Sequence, residues 1–209
     1  MEHDQTLFEG GKKLPLVEEF YTIQGEGYHT GKAAYFIRIG GCDVGCSWCD
    51  TKFSWNPALH PVVPAEQIVE HVMAEPAAAV VVTGGEPLMV QMDYLTTLLK
   101  AKGIETFLET SGAYPLTGSW DWICLSPKKN APPVNEIFQV AHELKVIVAE
   151  EEDLEWAIQN AENVHAGCKL FLQPEWSRID RNLERILAYI RQNPSWRLSL
   201  QTHKYLGIP

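Results

Sequence analysis

The amino-acid sequence predicts an α/β fold, a partial, open (β/α) barrel with a reduced helix count, and three observations predict it. Short apolar runs rich in Val, Ile and Leu alternate with stretches of helical period, the pattern of strand–helix units around a parallel sheet. The chain has 209 residues, fewer than the roughly 250 of a complete eight-fold barrel. Residues 110–121, interrupted by Gly112, Pro115 and Gly118, are too few and too broken for a crossover helix of about a dozen residues.

Strands are expected at residues 35–39, 80–83, 106–109, 122–125, 144–148, 169–173 and 197–200, with seven as the upper number. Helices follow from spacing. Ile68, Val69, Val72 and Met73 form one stripe, and Tyr94, Leu95, Leu98 and Leu99 form a second that stops at Gly103. Leu154, Ala157, Ile158 and Ala161 form a third, and Leu183, Ile186, Leu187 and Ile190 a fourth. These stripes are packing faces and carry no chemistry.

An apolar content of 45% with 21% charged residues is that of an ordinary globular protein, and residues 1–209 are expected to form a single domain. Seventeen Lys and Arg against 27 Asp and Glu leave a net charge of -10, which repels phosphate backbones and argues against a nucleic-acid partner. No apolar run approaches the roughly 20 residues of a membrane span, and residues 1–5 lack a basic start and apolar core of a signal peptide. The expectation is a cytoplasmic protein without a membrane partner.

Six of the seven expected strands end in polar or glycine residues: Gly40-Gly41-Cys42, Gly84-Gly85-Glu86-Pro87, Thr110-Ser111-Gly112, Ser126-Pro127-Lys128, Pro174-Glu175-Trp176 and Gln201-Thr202-His203-Lys204. In barrel-like sheets the carboxyl ends of the strands form the rim of the active site, so these six segments should converge. Cys42 closes the first of them, and Cys46 and Cys49 follow it. Three thiolates within eight residues can hold a [4Fe-4S] cluster and leave one iron open for chemistry. A zinc site closed by His60 is the alternative, since structural zinc takes four ligands, and a disulfide is weaker still. Cys124 and Cys168 are single, lie in apolar contexts and read as small buried hydrophobes.

The Cys-x3-Cys-x2-Cys spacing with Trp48 directly before the last cysteine resembles the signature of the radical S-adenosylmethionine (SAM) superfamily. The resemblance implies a partial barrel of the radical SAM type, in which the open iron chelates SAM and reduction yields a 5′-deoxyadenosyl radical. The cofactor then carries the hard chemistry and the protein orients it. Gly84, Gly85, Glu86 and Pro87 resemble the second motif, whose backbone holds the methionine amino group, and glycine permits that close approach. Trp48, Cys49 and Asp50, with Ser126, Pro127, Lys128, Gln173, Pro174 and Glu175 from later strands, complete the expected SAM site. Ser-Pro and Gln-Pro also begin ordinary turns.

A more specific resemblance covers nearly the whole chain. Residues 18–27 (EEFYTIQGEG), Cys49-Asp50-Thr51, Thr83-Gly84-Gly85-Glu86-Pro87, Glu109-Thr110-Ser111-Gly112, Ser126-Pro127-Lys128 and residues 198–205 (LSLQTHKY) resemble the 7-carboxy-7-deazaguanine synthase family. It implies a lyase of queuosine biosynthesis that contracts the ring of 6-carboxy-5,6,7,8-tetrahydropterin with loss of ammonia. It also implies Mg2+, a homodimer, and flavodoxin or ferredoxin as electron donor. The rival readings are an activating protein for a glycyl-radical enzyme, a tRNA-modifying radical enzyme, and an electron-transfer or zinc-stabilised module.

A carboxypterin presents an aminopyrimidinone edge and one carboxylate, so its site needs planar polar partners and a fixed cation. Arg38 can supply the cation; otherwise it caps an acidic neighbour. Ile23, Gln24, Gly25 and Glu26 would lie along the substrate edge, or else form only a hairpin turn, and Thr83 would face the substrate from a strand end. The resemblance further implies Thr51 as the Mg2+ ligand, His203 in the substrate site, and the carboxylate of Pro209 reaching back into that site. Taken alone, Thr51 is a loop cap and Pro209 a frayed terminus.

Overall fold

A computed structural model describes residues 8–209. The targeting pattern sought in residues 1–5 lies outside the described residues. Nine strands form one sheet: β1 (Lys13–Ile23), β2 (Ala33–Ile39), β3 (Val62–Pro64), β4 (Ala79–Gly84), β5 (Glu105–Thr110), β6 (Trp122–Leu125), β7 (Glu143–Val148), β8 (Lys169–Pro174) and β9 (Trp196–Leu198). Their order is β3-β1-β2-β4-β5-β6-β7-β8-β9, and the end strands β3 and β9 are not paired with each other. The barrel is therefore open. From β2 onward every pairing is parallel, while β1 runs antiparallel to both of its neighbours.

The number exceeds the expected seven because β1 and β3 were not foreseen. Lys13–Ile23 contains Pro15, Glu18 and Glu19 and never settles into alternation, so its burial comes from its partners and not from a period of two. The helices are α1 (Ala65–Ala74), α2 (Asp93–Ala101), α3 (Asn135–Phe138), α4 (Asp153–Ala161), α5 (Ile179–Gln192) and α6 (Thr202–Leu206). No helix joins β5 to β6, as the broken segment there predicted.

The strand Ala79–Gly84 is buried from Ala79 through Val82, as a parallel strand covered on both faces must be. On the outer face Ile37, Ile39, Val80 and Val82 pack on Ile68, Val69 and Val72 of α1 and on Leu95 and Leu99 of α2. Farther along, Leu108, Leu125, Leu144, Val146 and Leu172 pack on Ala157 of α4 and Ile186 of α5. Three residues of the predicted stripes turn outward, with Met73 at 49%, Ile158 at 37% and Leu187 at 36% exposure. Each sits at the margin of its stripe, where the sheet no longer covers it.

The inner face carries Ala34, Ala79, Val81 and Phe107, with Phe36 and Trp122 beside them. The β1–β2 hairpin folds over this face. Tyr28 stacks on Trp122 at 4.6 Å and His29 on Phe107 at 4.3 Å between ring centroids. The Tyr28 backbone N–H donates to Glu143 Oε2 at 3.0 Å, which ties the tip to β7. A hairpin that reads in sequence as a turn is thus a plug, and it delivers Gln24, Gly25 and Glu26 to the rim.

Candidate active site

The strand ends converge on a cavity of about 620 Å3 whose walls come from the β1–β2 hairpin, the carboxyl ends of β2 and β4–β8, and the chain terminus. That volume falls in the range of small-molecule sites, about 300–1,000 Å3.

One wall is built on the cluster loop. Gly41 N–H donates to Ser54 O at 2.7 Å and Cys42 N–H to Trp55 O at 3.1 Å, so the loop after β2 doubles back on itself. The end of β4 sits on its root, with Gly85 N–H donating to Ile39 O at 3.0 Å and Glu86 N–H to Gly41 O at 2.8 Å. Two glycines make this possible. Gly84 has φ of 148°, and a Cβ at Gly85 would lie 2.3 Å from Gly41 O and 2.8 Å from Cys42 Cβ. Later segments hold the loop from outside. Tyr114 Oη donates to Asp43 Oδ2 at 2.5 Å, Asn130 Nδ2 to Gly45 O at 3.1 Å, and the Lys128 ammonium lies 5.7 Å from the Trp48 ring centroid.

Cys42, Cys46 and Cys49 all line the cavity, are partly buried and form no disulfide. Burial pushes the Cys42 thiol up to about 11 and raises Cys46 as well, so these thiols are neutral until a bound cation deprotonates them. Among the described residues no three His, Cys, Asp or Glu are arranged to hold a single metal ion. His60, the fourth ligand of the zinc alternative, is not part of the cavity wall, and its Nε2 pairs with Phe53 O at 2.9 Å. Three free thiols on an open wall, beside a backbone kept bare at Gly85, fit a cluster with one open iron and an amino-acid cofactor packed against it. Cys124 and Cys168 are buried, as expected.

The opposite wall is built from charge. Lys145, with a side chain only 4% exposed, donates to Glu26 Oε2 at 2.6 Å and to Glu109 Oε2 at 2.9 Å. Gln201 Nε2 donates to Glu26 Oε1 at 2.9 Å, and Gln24 Nε2 to Glu109 Oε1 at 3.4 Å. Burial alone would raise the Glu26 carboxyl, yet Lys145 and the amide of Gln201 hold it down at about 2. Gly25 meets the tail here. Thr202 N–H donates to Gly25 O at 2.9 Å, and a Cβ at Gly25 would lie 2.3 Å from His203 Nδ1. Burial lowers the His203 imidazole, so that ring is neutral near pH 7.

Of the residues singled out from sequence, Ile23, Gln24, Gly25, Glu26, Arg38, Trp48, Asp50, Thr51, Thr83, Gly84, Gly85, Ser126, Lys128, Gln173, Pro174, Glu175, His203 and Pro209 line the cavity with the three cysteines. Glu86 and Pro127 do not. The Glu86 carboxylate is turned inward, 1% exposed, and accepts from Thr110 Oγ1, Ser111 N–H, Ser111 Oγ and Leu88 N–H. It clamps the end of β4 to the end of β5.

Several side chains on the wall are already engaged. Asp50 Oδ2 pairs with Lys204 Nζ at 2.7 Å, Gln173 Oε1 accepts from Ser199 Oγ at 2.6 Å, and Glu175 caps the turn at Ser177. Arg38 caps an acidic neighbour on the cavity wall. A bulge between Leu16 and Glu18 brings Glu18 opposite Arg38, and Glu18 Oε1 accepts from Arg38 Nε at 2.6 Å while the residue still lines the cavity. Thr51 makes no side-chain cap; its Oγ1 lies 3.5 Å from Cys49 Sγ. Pro209 lies on the cavity wall, where its O accepts from Thr22 Oγ1 at 3.4 Å.

Sequence reasoning missed Lys145 as a member of the site, Gln201 and Lys204 as individual contributors, and the stacked Phe20–Phe36 pair that forms an apolar patch of wall. Lys145 left one signal. A lysine inside the apolar run Leu144-Lys145-Val146 is almost never buried without partners.

Fold, thiol trio and bare glycine backbone together define a radical SAM protein, and residues 36–125 match the Radical SAM superfamily. That superfamily implies a [4Fe-4S] cluster and SAM. The chain is 58% identical to a 7-carboxy-7-deazaguanine synthase from Flavobacterium psychrophilum, over 98% of this chain and 97% of that protein. It is 48% identical to one from Synechocystis sp., over 93% of each. The crystal structure of QueE from Escherichia coli superposes with a TM-score of 0.81 at 28% identity, covering 96% of this chain and 99% of that one. The chain belongs to the 7-carboxy-7-deazaguanine synthase family.

Proposed function

We propose that this chain, as a single radical SAM domain, contracts the ring of 6-carboxy-5,6,7,8-tetrahydropterin to 7-carboxy-7-deazaguanine with release of ammonia, in biosynthesis of 7-deazapurines and queuosine. The observation that carries the reading is the meeting, on one cavity, of three free thiols and a glycine backbone with a wall of planar polar groups. Family membership speaks against the glycyl-radical activating and tRNA-modifying alternatives.

Cys42, Cys46 and Cys49 would hold the cluster, and the Gly84–Gly85 backbone with Ser126 and Gln173 would hold SAM. Bound together, these groups supply hydrogen abstraction at C6 of the substrate. The chain's own residues orient that substrate. Gln24 and Glu26 accept from the amino and ring N–H groups of the pterin, and Arg38, steadied by Glu18, meets the carboxylate. His203 and Pro209 close the site from the tail. The Phe20–Phe36 stack offers an apolar wall that excludes water on one side.

Thr51 would contribute one oxygen to Mg2+, the remaining ligands being substrate oxygens and water, as is usual for that ion. The finer expectations are a cytoplasmic homodimer that takes electrons from flavodoxin or ferredoxin. No helix among the described residues is long and apolar enough to cross a membrane.

The test is an anaerobic assay with reconstituted cluster, SAM and 6-carboxytetrahydropterin, followed by mass analysis. Product lighter than substrate by the elements of ammonia is expected, and its absence with a fully loaded cluster refutes the reading. Activity unaffected by thorough chelation removes Thr51 and Mg2+ from it.

A further inference from the structure

We propose that Lys145 is a positioning residue that holds Glu26 and Glu109 together as hydrogen-bond acceptors, and thereby sets a preference for a 2-amino over a 2-oxo pyrimidine edge. The inference rests on the carboxypterin reading above. Three elements meet at one ammonium: the hairpin tip gives Glu26, β5 gives Glu109 and the middle of β7 gives Lys145. Nothing in the radical chemistry needs a lysine there. Its side chain is almost wholly buried, and its two hydrogen bonds to carboxylates account for its place.

Two carboxylates that share a site cannot both stay ionised without a cation, and one of them takes up a proton. A protonated carboxyl donates where an ionised one only accepts. Lys145 removes that ambiguity. With it in place the array Glu26–Lys145–Glu109 carries two negative charges against one positive and faces the cavity as an acceptor edge. A 2-amino-4-oxopyrimidine offers N–H donors to such an edge, whereas a 2,4-dioxopyrimidine sets an oxygen against it.

The other titratable groups around the array do not replace Lys145. Cys124 approaches it from β6 and Glu143 from β7, and neither supplies a cation. Glu143, pushed up to about 7 by burial, gains its charge within the tested range in every protein compared, so the effect of Lys145 is read as the difference from the native profile. Neutral His203 lies on the Glu26 side, and Lys128 acts on Lys145 only as a distant like charge. Lys204, the other cation on this side, is paired with Asp50, so Lys145 is the ammonium that bonds both carboxylates.

Binding of pterin-6-carboxylate and lumazine-6-carboxylate, the oxidised and unreactive ring systems, tests this by fluorescence between about pH 5 and pH 9. For the native protein the preference for the pterin should not vary with pH through any titration of Glu26, whose carboxyl is held down at about 2. In Lys145→Met the pterin should bind about thirtyfold or more weakly at the alkaline end, and its preference over the lumazine should shrink as pH falls. Lys145→Arg keeps a cation between the two carboxylates and should retain the pterin preference that Lys145→Met loses. Iron and sulfide content report whether each variant is folded and loaded.

A Lys145→Met protein with native affinity, selectivity and pH profile overturns the proposal. If that single variant cannot be obtained folded, Lys145→Gln decides: a preference for the pterin that shrinks as pH falls upholds the role, and a native preference overturns it. A native protein that ignores pterin-6-carboxylate refutes the substrate reading and this inference with it. One that binds pterin while Lys145→Met changes nothing refutes this inference alone.

Discussion

The two walls of the cavity are made by different means. The cluster wall is backbone work, in which a loop of 13 residues, Gly41 through Phe53, is held by main-chain hydrogen bonds to Ser54, Trp55 and the end of β4. The opposite wall is side-chain work. Glu26, Glu109, Lys145 and Gln201 come from residues up to 175 positions apart and are fixed by one another's charges and amides. Backbone walls tolerate little added volume, and charge walls tolerate little change of protonation.

The largest effect should come from the cluster wall itself. Cys46→Ala should lower iron from about four atoms per chain to a small residue and abolish turnover, read by iron analysis and product formation. Retained turnover would show that the trio is not the cluster site. Next is Glu86→Ala, which strands Thr110 Oγ1, Ser111 Oγ and two backbone N–H groups in a buried place. A loss of about 3–5 kcal/mol in denaturant unfolding is expected. A near-neutral result would mean that β4 and β5 hold their ends together without the clamp.

Gly85→Ala is the sharpest probe of the backbone wall, because the new Cβ meets a carbonyl oxygen at 2.3 Å that no side-chain rotation can relieve. It should cost about 1–3 kcal/mol and weaken SAM binding in equilibrium titration. Unchanged affinity would move SAM away from this backbone.

The smallest effect belongs to the floor beneath the charge wall. Glu143 is 2% exposed, and burial pushes its carboxyl up to about 7 although Lys145 opposes this. Its Oε2 accepts from Tyr28 N–H and Trp122 Nε1, while Oε1 has no partner. The folded state therefore holds a proton that the unfolded chain releases above its ordinary carboxylate pKa of 4.5. Stability from this group is complete below that value and is lost as pH rises from 4.5 to about 7. Glu143→Gln should flatten that decline and stabilise the protein at pH 8 by on the order of 1 kcal/mol, bounded near about 3 kcal/mol. Glu26 has the opposite sign: its contribution is present above pH 4.5 and is lost as pH falls towards about 2.

Legibility in the sequence follows the same division. The cluster wall could be read because its parts are neighbours in the chain: a cysteine trio, a glycine pair after an apolar strand, an aromatic before the last thiol. The helix faces could be read because periodicity is local, and they failed only at Met73, Ile158 and Leu187 on the stripe margins. Lys145 could not be assigned, since its meaning depends on Glu26, 119 residues away, and on Glu109, 36 residues away. Cys124 illustrates the same limit. It is buried as predicted, yet the charged groups Glu109, Glu143 and Lys145 also act on its thiol.

The sequence by itself determined the α/β class, the missing helix between residues 110 and 121, the position of the thiols and the strand ends that form the rim. Each of these rests on spacing along the chain, which fixes local geometry before any folding occurs. The tertiary structure alone decided that the β1–β2 hairpin plugs the inner face, that Glu86 is a clamp, and that the carboxylates of Glu26 and Glu109 share one buried ammonium. Those outcomes depend on distances across the sheet, where a charge finds its partner only after the strands between them have paired.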